Sequence, residues 1–273
     1  MKFTVLMSVY KKEKAEYLKL ALDSVINQTL KPDEIVLVQD GELTEELYAV
    51  IEKYKQKYPA IFKTYALKQN QGLGKALNFG MDKCSNELIA RMDTDDIADP
   101  NRFELQIQEF IKDKELTLCG GQIAEFADNP IEITDYRNVP LTHNEILIFV
   151  KKRNSFNHMT VMFKKQAVQS VGGYQHMPYF EDYWLWARML KAGYKTKNID
   201  NVLVKVRAGQ DMIARRGGWE YVKCITKFEK TLYKIGIINL FDLLTYTVLR
   251  SAVAIIPESL RLCIYKWNLR KKK

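Results

Sequence analysis

The sequence predicts an α/β fold, a mostly parallel sheet flanked by helices with a helical extension at the C-terminus. Three observations predict it. Over the first 121 residues, short apolar runs alternate with segments of helical spacing, the pattern of βαβ units. Three of those apolar runs end in polar residues, Ser8 and Tyr10, Asp40, and Asp93 with Asp95. Ligands of open parallel sheets gather at such carboxyl ends, although Asp also favours ordinary turns. The last quarter has a different composition, basic and rich in aromatic and leucine residues.

The elements follow in order. Residues 4–10 form a short apolar run with β-branched members. Residues 17–28 carry Leu18, Ala21, Leu22, Val25 and Ile26 at helical spacing. Residues 34–40, EIVLVQD, read as a second strand and 43–58 as a second helix. A third strand falls at 62–67 and a third helix at 73–83. The strand at 87–93, ELIARMD, leads to a helix at 100–111 with Pro100 in its first turn. Residues 116–121 are the fifth strand. Residues 129–143 are polar and read as a loop. Beyond them come a strand at 157–163, a short helix at 164–170 ending at Gly172 and Gly173, a helix at 182–192, and short strands at 195–199 and 202–207.

Composition narrows the function. The chain has 273 residues, 47% apolar and 27% charged, with only 13 Gly and 7 Pro, which excludes a disordered or collagenous chain. Its four cysteines and three histidines are scattered, so neither a zinc ribbon nor a disulfide scaffold is indicated. The N-terminal apolar run is followed at once by charge and reads as a strand rather than a signal peptide, which makes a cytoplasmic location the expectation. The net charge of +9 is unevenly spread. Residues 1–204 hold 27 Lys/Arg and 28 Asp/Glu, whereas 205–273 hold 15 Lys/Arg and 5 Asp/Glu. Such a basic end points to an anionic partner, a lipid surface or nucleic acid. In the tail, Asp242, Arg250 and Glu258 break the apolar sequence, and uncharged runs such as 243–249 are seven residues long. That is short of the roughly 18 residues of a membrane span. Trp219, Trp267, Tyr246 and Tyr265 interleaved with leucines and Lys/Arg suit a helix lying in a membrane interface, with Lys271–Lys273 against anionic headgroups. The alternative is a helical subdomain packed on the core.

Two carboxylate clusters carry the chemistry. In RMDTDDIADPNRFELQ, residues 91–106, Asp93 and Asp95 are two apart and Asp96 follows. If Asp93 ends a strand, Asp93 and Asp95 face one small volume, and carboxylates so close require a compensating cation. All-oxygen ligands suit Mg²⁺ or Mn²⁺ holding a substrate diphosphate; a capped turn, with Asp99 capping the next helix, is the plainer reading. Residues 70–76, NQGLGKA, enter a helix without a P-loop or dinucleotide signature, and Lys75 and Arg91 are available to neutralise phosphate. The second cluster, YFEDYWLW at 179–186, sets Glu181 and Asp182 among aromatic residues before a helix. One acid there can accept a proton while the other orients it, and Trp184 and Trp186 offer faces for a sugar ring. Alternatively Asp182 caps the helix and the tryptophans are core.

These segments, in this order and spacing, resemble the family 2 glycosyltransferases, the inverting group with a GT-A-type, Rossmann-like fold, and among them the bacterial enzymes of capsule, exopolysaccharide and lipopolysaccharide synthesis. The match spans about residues 3–207 through TVLMSVYKKE (4–13), DEIVLVQDG (33–41), NQGLGKALNFG (70–80), ARMDTDDIADPNRFELQ (90–106), NHMTVMFKK (157–165), GGY (172–174) and FEDYWLWARML (180–190). The resemblance implies that Asp95 and Asp93 hold Mn²⁺ or Mg²⁺ and the nucleotide diphosphate, and that Asp40 meets a uracil-type base. It implies Ser8, Tyr10 and Glu13 at the nucleoside, and Lys75, Arg91 and Arg207 near the diphosphate. It makes Asp182 the general base with Glu181 beside it, and sets His158 near the donor sugar. The second strand departs from the pattern, with Gln39 where an acid is commoner and Glu42 in place of a serine. The processive-synthase signature Gln-x-x-Arg-Trp does not follow Asp182, which favours transfer of one sugar.

The expectation is therefore a catalytic domain at 1–210, its nucleotide-sugar half about 1–100 and its acceptor half 101–210, and a basic amphipathic tail at 211–273. Its partners are a nucleotide sugar, a saccharide or polyprenyl-linked saccharide acceptor, and the anionic inner face of the cell membrane, with no nucleic acid. A segment from Val206 to Arg216, with Gly209 and Gly217-Gly218 as hinges, is expected to cover the diphosphate. A sugar nucleotidyltransferase is the rival enzyme, but it normally carries a Gly-rich loop after the first strand, where this chain reads SVYKKEK. A non-enzymatic protein binding nucleic acid or membrane through the tail is the other alternative.

Overall fold

The computed structural model describes residues 1–207, 216–258, 260, 261 and 264. The strands are β1 (Phe3–Val9), β2 (Glu34–Gln39), β3 (Phe62–Ala66), β4 (Leu88–Arg91), β5 (Ile97–Ala98), β6 (Leu116–Phe126), β7 (Ile133–Arg137), β8 (Met162–Lys164) and β9 (Lys195–Arg207). The helices are α1 (Ala15–Ile26), α2 (Glu45–Lys57), α3 (Leu73–Lys83), α4 (Arg102–Lys112), α5 (His143–Phe149), α6 (Lys165–Ser170), α7 (Glu181–Lys191), α8 (Gly218–Lys234) and α9 (Leu240–Ile255).

One sheet runs in the order β3-β2-β1-β4-β8-β6-β9-β5, with β7 paired to β6. The first four strands in this order are parallel, β8 is antiparallel to both β4 and β6, and β6 and β9 are again parallel. The central strands are covered on both faces, as parallel sheets require. In β1, Val5, Met7 and Val9 pack toward α1, α2 and α4, while Leu6 faces α3 and α7. Gly80 permits the close seat of α3. A β-carbon there would lie 2.5 Å from Leu6 Cδ1 and 2.6 Å from Val38 Cγ2.

Local chemistry corrects several expectations. The expected strand at 157–163 begins as a 3-10 turn at His158–Thr160 and becomes strand only at Met162. Asn157 Nδ2 donates to Gly121 O at 2.9 Å and Thr160 Oγ1 to Asn157 O at 2.8 Å, and these side-chain bonds curl the backbone. The expected loop at 129–143 contains β7, and α5 begins at its end under a Thr142–Glu145 capping box. The two short strands at 195–207 are one, irregular where it pairs near Gly121 and Gln122. Asp99 does not cap α4. Its Oδ1 accepts from Asn101 N at 3.0 Å, and Gln28 Oε1 takes the Phe103 N–H at 3.2 Å. The C-terminal region is not uniformly interfacial either. Tyr221, Ile225, Phe228 and Leu232 of α8 are buried in the core beside α7, and Phe180 stacks on Phe228 with ring centroids 4.4 Å apart. α9 packs on α8, and of its residues only Ala254 is buried. Most of the expected covering segment at 206–216, including Gly209, lies outside the described residues, as do Tyr265, Trp267 and Lys271–Lys273.

Candidate active site

The site forms where β1, β2 and β4 end. Asp40 is buried just beyond β2, and its carboxylate accepts from Gln71 N (2.7 Å), Gly72 N (3.0 Å) and Asn70 Nδ2 (3.0 Å). It thereby pins the 70–72 loop that opens α3. Gly41 beside it has φ +87°, and a β-carbon there would lie 2.6 Å from Asn70 N, so the close approach of the two loops needs glycine. Ser8 is half-buried at the end of β1, and Tyr10 and Lys75 are exposed.

After β4 the chain turns through Asp93, Thr94, Asp95 and Asp96. One carboxylate oxygen from each of Asp93, Asp95 and Asp96 lies within 4.8 Å of the others. The fully buried Arg91 guanidinium grips Asp93 in a bidentate pair. Thr94 Oγ1 donates to Glu13 Oε2 at 2.8 Å, which draws Glu13 toward the same turn. Asp96 accepts from the Arg207 backbone N–H at 2.9 Å, joining the turn to the end of β9. The Arg207 guanidinium lies over the rings of Tyr17 and Phe126, 3.7 and 4.7 Å from their centroids.

The electrostatics are those of crowded anions. Burial first, then Asp93 and Glu13, push the Asp95 carboxyl up to about 7. Burial and the charges of Asp95 and Asp93 raise Asp96 well above the usual carboxylate range. Burial also raises Glu13, against the opposing Thr94 and Lys14 hydrogen bonds. An all-oxygen donor set in which Asp95 and Asp96 ionise reluctantly on their own fits a hard divalent cation such as Mg²⁺ or Mn²⁺.

Across from this turn stands the start of α7. Tyr179 has φ 69°, a region side-chain-bearing residues seldom enter, and the sharp turn leaves its ring half-exposed, edge-on to Tyr221 at 5.0 Å. Glu181 and Asp182 occupy the first turn of α7, where the helix dipole favours negative charge. Asp182 accepts from Asn154 Nδ2 at 2.6 Å and from Tyr183 N at 2.7 Å. Burial, then the neighbouring Asp182, raise the Glu181 carboxyl, against hydrogen bonding at its own backbone and the His176 charge. His158 Nε2 pairs with Tyr174 Oη at 2.8 Å, and burial followed by the Arg91 charge pushes its pKa well below the usual range.

A cleft of about 700 Å³ joins the two sides, with Arg91, Asp93, His158, Tyr179, Asp182 and Arg207 among its walls. Trp184 and Trp186, expected at a sugar, do not line it. They are 7% and 1% exposed and belong to the core; Trp184 Nε1 donates to Gln175 at 2.9 Å and Trp186 packs on Phe156. The aromatic wall is made instead by Tyr179, Phe180, Tyr183, Tyr221 and Tyr246. Asn154, which orients Asp182, and Arg137, whose guanidinium donates to Asn154 O at 3.3 Å, carry no motif and were not anticipated.

The model of the family described as "Glycosyl transferase family 2" matches residues 4–174. A Haemophilus influenzae protein described as "Uncharacterized glycosyltransferase" is 42% identical over 99% of this chain and 100% of its own length. Amylovoran biosynthesis glycosyltransferase AmsE of Erwinia amylovora is 45% identical over 85% of each chain. The UDP-Gal:alpha-D-GlcNAc-diphosphoundecaprenol beta-1,3-galactosyltransferase of Escherichia coli is 37% identical over 99% of this chain and 97% of its own. Among solved structures, S. aureus TarS 1-349 in complex with UDP-GlcNAc superposes with a TM-score of 0.67 at 15% identity, covering 98% of this chain and 76% of that one. The chain spans 43% of the longer TarS chain, at a TM-score of 0.65. At such identity the likeness bears on the fold, and the fold is of the GT-A type.

Proposed function

The chain belongs to glycosyl transferase family 2 and is a glycosyltransferase, and from that premise we propose that it moves one sugar from a UDP-sugar to a hydroxyl of a lipid-linked saccharide, with inversion, in cell-surface polysaccharide synthesis. The observation that carries this reading is that Asp93 and Asp182 line the same cleft. The diphosphoundecaprenol acceptor named for the E. coli relative and the amylovoran pathway of the E. amylovora relative support the choice of acceptor class and process.

In this reading Asp95 and Asp93 hold Mn²⁺ or Mg²⁺, with Asp96 completing the acidic turn. When bound, the cation neutralises charge on the departing nucleotide diphosphate. Ser8, Tyr10 and the loop pinned by Asp40 form the nucleoside end. Arg91 holds Asp93 in place, Glu13 shares its turn through Thr94, and Lys75 and Arg207 add positive charge around the phosphates. His158, neutral and bonded to Tyr174, flanks the donor sugar. Asp182, oriented by Asn154, takes the proton from the acceptor hydroxyl as the oxygen attacks the anomeric carbon from the face opposite the diphosphate. The transition state is oxocarbenium-like, and one displacement inverts the centre. Glu181 supports the acidic end of α7.

We also propose a catalytic region to about 210, with nucleotide-sugar and acceptor halves, and a basic C-terminal region. The latter is read as a contact with the anionic inner membrane surface. No helix among the described residues is long and apolar enough to cross a membrane. Support for surface contact comes from α9, which exposes Phe241, Leu244, Val248 and Ile255 along one side, and from Lys223, Lys227, Lys230 and Lys234 on α8.

Asp182→Asn tests the assignment. The amide cannot accept the proton, so transfer should fall at least about 10³-fold, within the span general-base catalysis supplies, while Mn²⁺-dependent UDP binding in calorimetric titration stays within twofold. Near-normal turnover would remove Asp182 from the mechanism.

A further inference from the structure

Part of the cleft wall differs in kind from the acidic turn. Arg137, Lys152, Arg153 and Arg216 belong to it. So does an apolar surface made by Ile225 of α8 and by Leu249, Val253 and Ala254 of α9. Hydrogen bonds tie these features to Asp182 and to one another. Asp182 is held by Asn154 Nδ2 at 2.6 Å, and Arg137 donates to the carbonyl of the same Asn154. Two residues earlier, Lys152 O accepts from Arg250 of α9 at 2.7 Å. Arg250 also pairs with the fully buried Glu229 of α8 at 2.7 Å, so the apolar wall is latched to the cationic segment. The cleft therefore brings together the acidic turn, the carboxylate of Asp182, a group of cations tied to Asn154, and hydrocarbon tied to Lys152.

We infer that Arg137, Lys152, Arg153 and Arg216 form a second anion subsite, separate from the donor's, that binds the diphosphate of a polyisoprenyl-diphosphate acceptor, with α8 and α9 covering the first part of its hydrocarbon. This rests on the lipid-linked acceptor of the proposed function and assigns residues to it. The cation group serves the acceptor because it adjoins Asn154, which orients the proton acceptor, and because the Lys152 segment is bonded to the helix that carries the apolar wall. The donor diphosphate has its own charge partners at the acidic turn. The cations also crowd one another. Burial, followed by the charges of Arg216 and Arg153, brings the Arg137 guanidinium down to about 10, against the opposing pull of Asp182 and Glu125. A dianion between them relieves that repulsion. Arginine suits the task because its planar fork meets phosphate oxygens in pairs.

The test is equilibrium binding of farnesyl diphosphate to the full-length protein in EDTA, with inorganic pyrophosphate and farnesol as separate ligands. The wild type should bind farnesyl diphosphate at least tenfold more tightly than either. Lys152→Ala/Arg153→Ala and, independently, Arg216→Ala should each weaken it at least tenfold, and Val253→Asp should weaken it while leaving pyrophosphate unchanged. UDP binding with Mn²⁺ should stay within twofold in Lys152→Ala/Arg153→Ala and in Val253→Asp. Unchanged farnesyl diphosphate affinity in both cation variants would overturn the inference, as would pyrophosphate binding as tightly as the farnesyl compound. Loss of UDP binding in Lys152→Ala/Arg153→Ala protein that melts like the wild type would also overturn it, since the cations would then serve the donor. Failure of the protein to glycosylate any diphosphate-linked acceptor would count against the proposed function instead, because these binding results do not depend on turnover.

Discussion

Asp95 shares a short turn with Asp93 and Asp96, and its carboxyl is pushed up to about 7 by burial, Asp93 and Glu13. The folded chain therefore holds a proton there that the unfolded chain releases near pH 4. Between those two values the folded state binds more protons, so stability from this group falls as pH rises and is lowest above 7. Metal-free protein should lose melting temperature from pH 5 to pH 8, and Asp95→Asn, or saturating Mn²⁺ with UDP, should flatten that slope in scanning calorimetry. Equal slopes for wild type and Asp95→Asn would contradict the crowding of this turn. The acid pattern was legible in the sequence because two carboxylates two residues apart at a strand end have few other uses. Asn154 and Arg137 were not legible. They belong to no motif, and their value comes from a hydrogen bond to Asp182, 28 residues beyond Asn154 in the chain. The tryptophans misled because aromatic residues beside acids suit a sugar platform and a core equally well. α7 is buried on nearly every side, so both lie inside although they face different ways, Trp186 packing on Phe156 and Trp184 against the segment containing Gln175.

At the scale of elements, α7 and α8 behave as a unit. Phe180, just before α7, lies between Tyr221 and Phe228 of α8, and Tyr183 meets Phe228 with ring centroids 4.7 Å apart. Phe228 is fully buried, so Phe228→Ala should cost about 3–5 kcal/mol in urea unfolding. It should also lower turnover more than UDP binding, because the support of Asp182 is loosened while the acidic turn is untouched. A cost under about 1 kcal/mol would mean that α8 is a detachable appendage. The strands and helices of the first half were readable from period alone, since a doubly covered sheet makes its strands continuous apolar runs. The elements between 129 and 161 were not. β7 is a half-exposed strand with no alternation to announce it, α5 depends on a capping box at Thr142 and Glu145, and the His158–Thr160 turn is imposed by the side chains of Asn157 and Thr160.

For the whole molecule, the basic C-terminal quarter has two tasks in this account. α8 and the inner face of α9 are proposed to close the acceptor side of the cleft, and the outer side of α9 to meet lipid. Replacing Phe241, Leu244 and Val248, all well exposed, by serine should reduce sedimentation with anionic phospholipid vesicles at least tenfold without lowering the melting temperature. Undiminished sedimentation would assign membrane contact to another surface. Transfer by this mechanism requires a nucleotide diphosphate and Asp182 to face each other across one space. The most direct check is anomalous scattering at the manganese edge from crystals holding UDP and Mn²⁺. One peak is expected within direct coordination distance of carboxylate oxygens of Asp93 or Asp95, with the terminal phosphate of UDP directed into the cleft that Asp182 lines. A manganese peak away from the 93–96 turn, or a UDP phosphate turned away from Asp182, would contradict it.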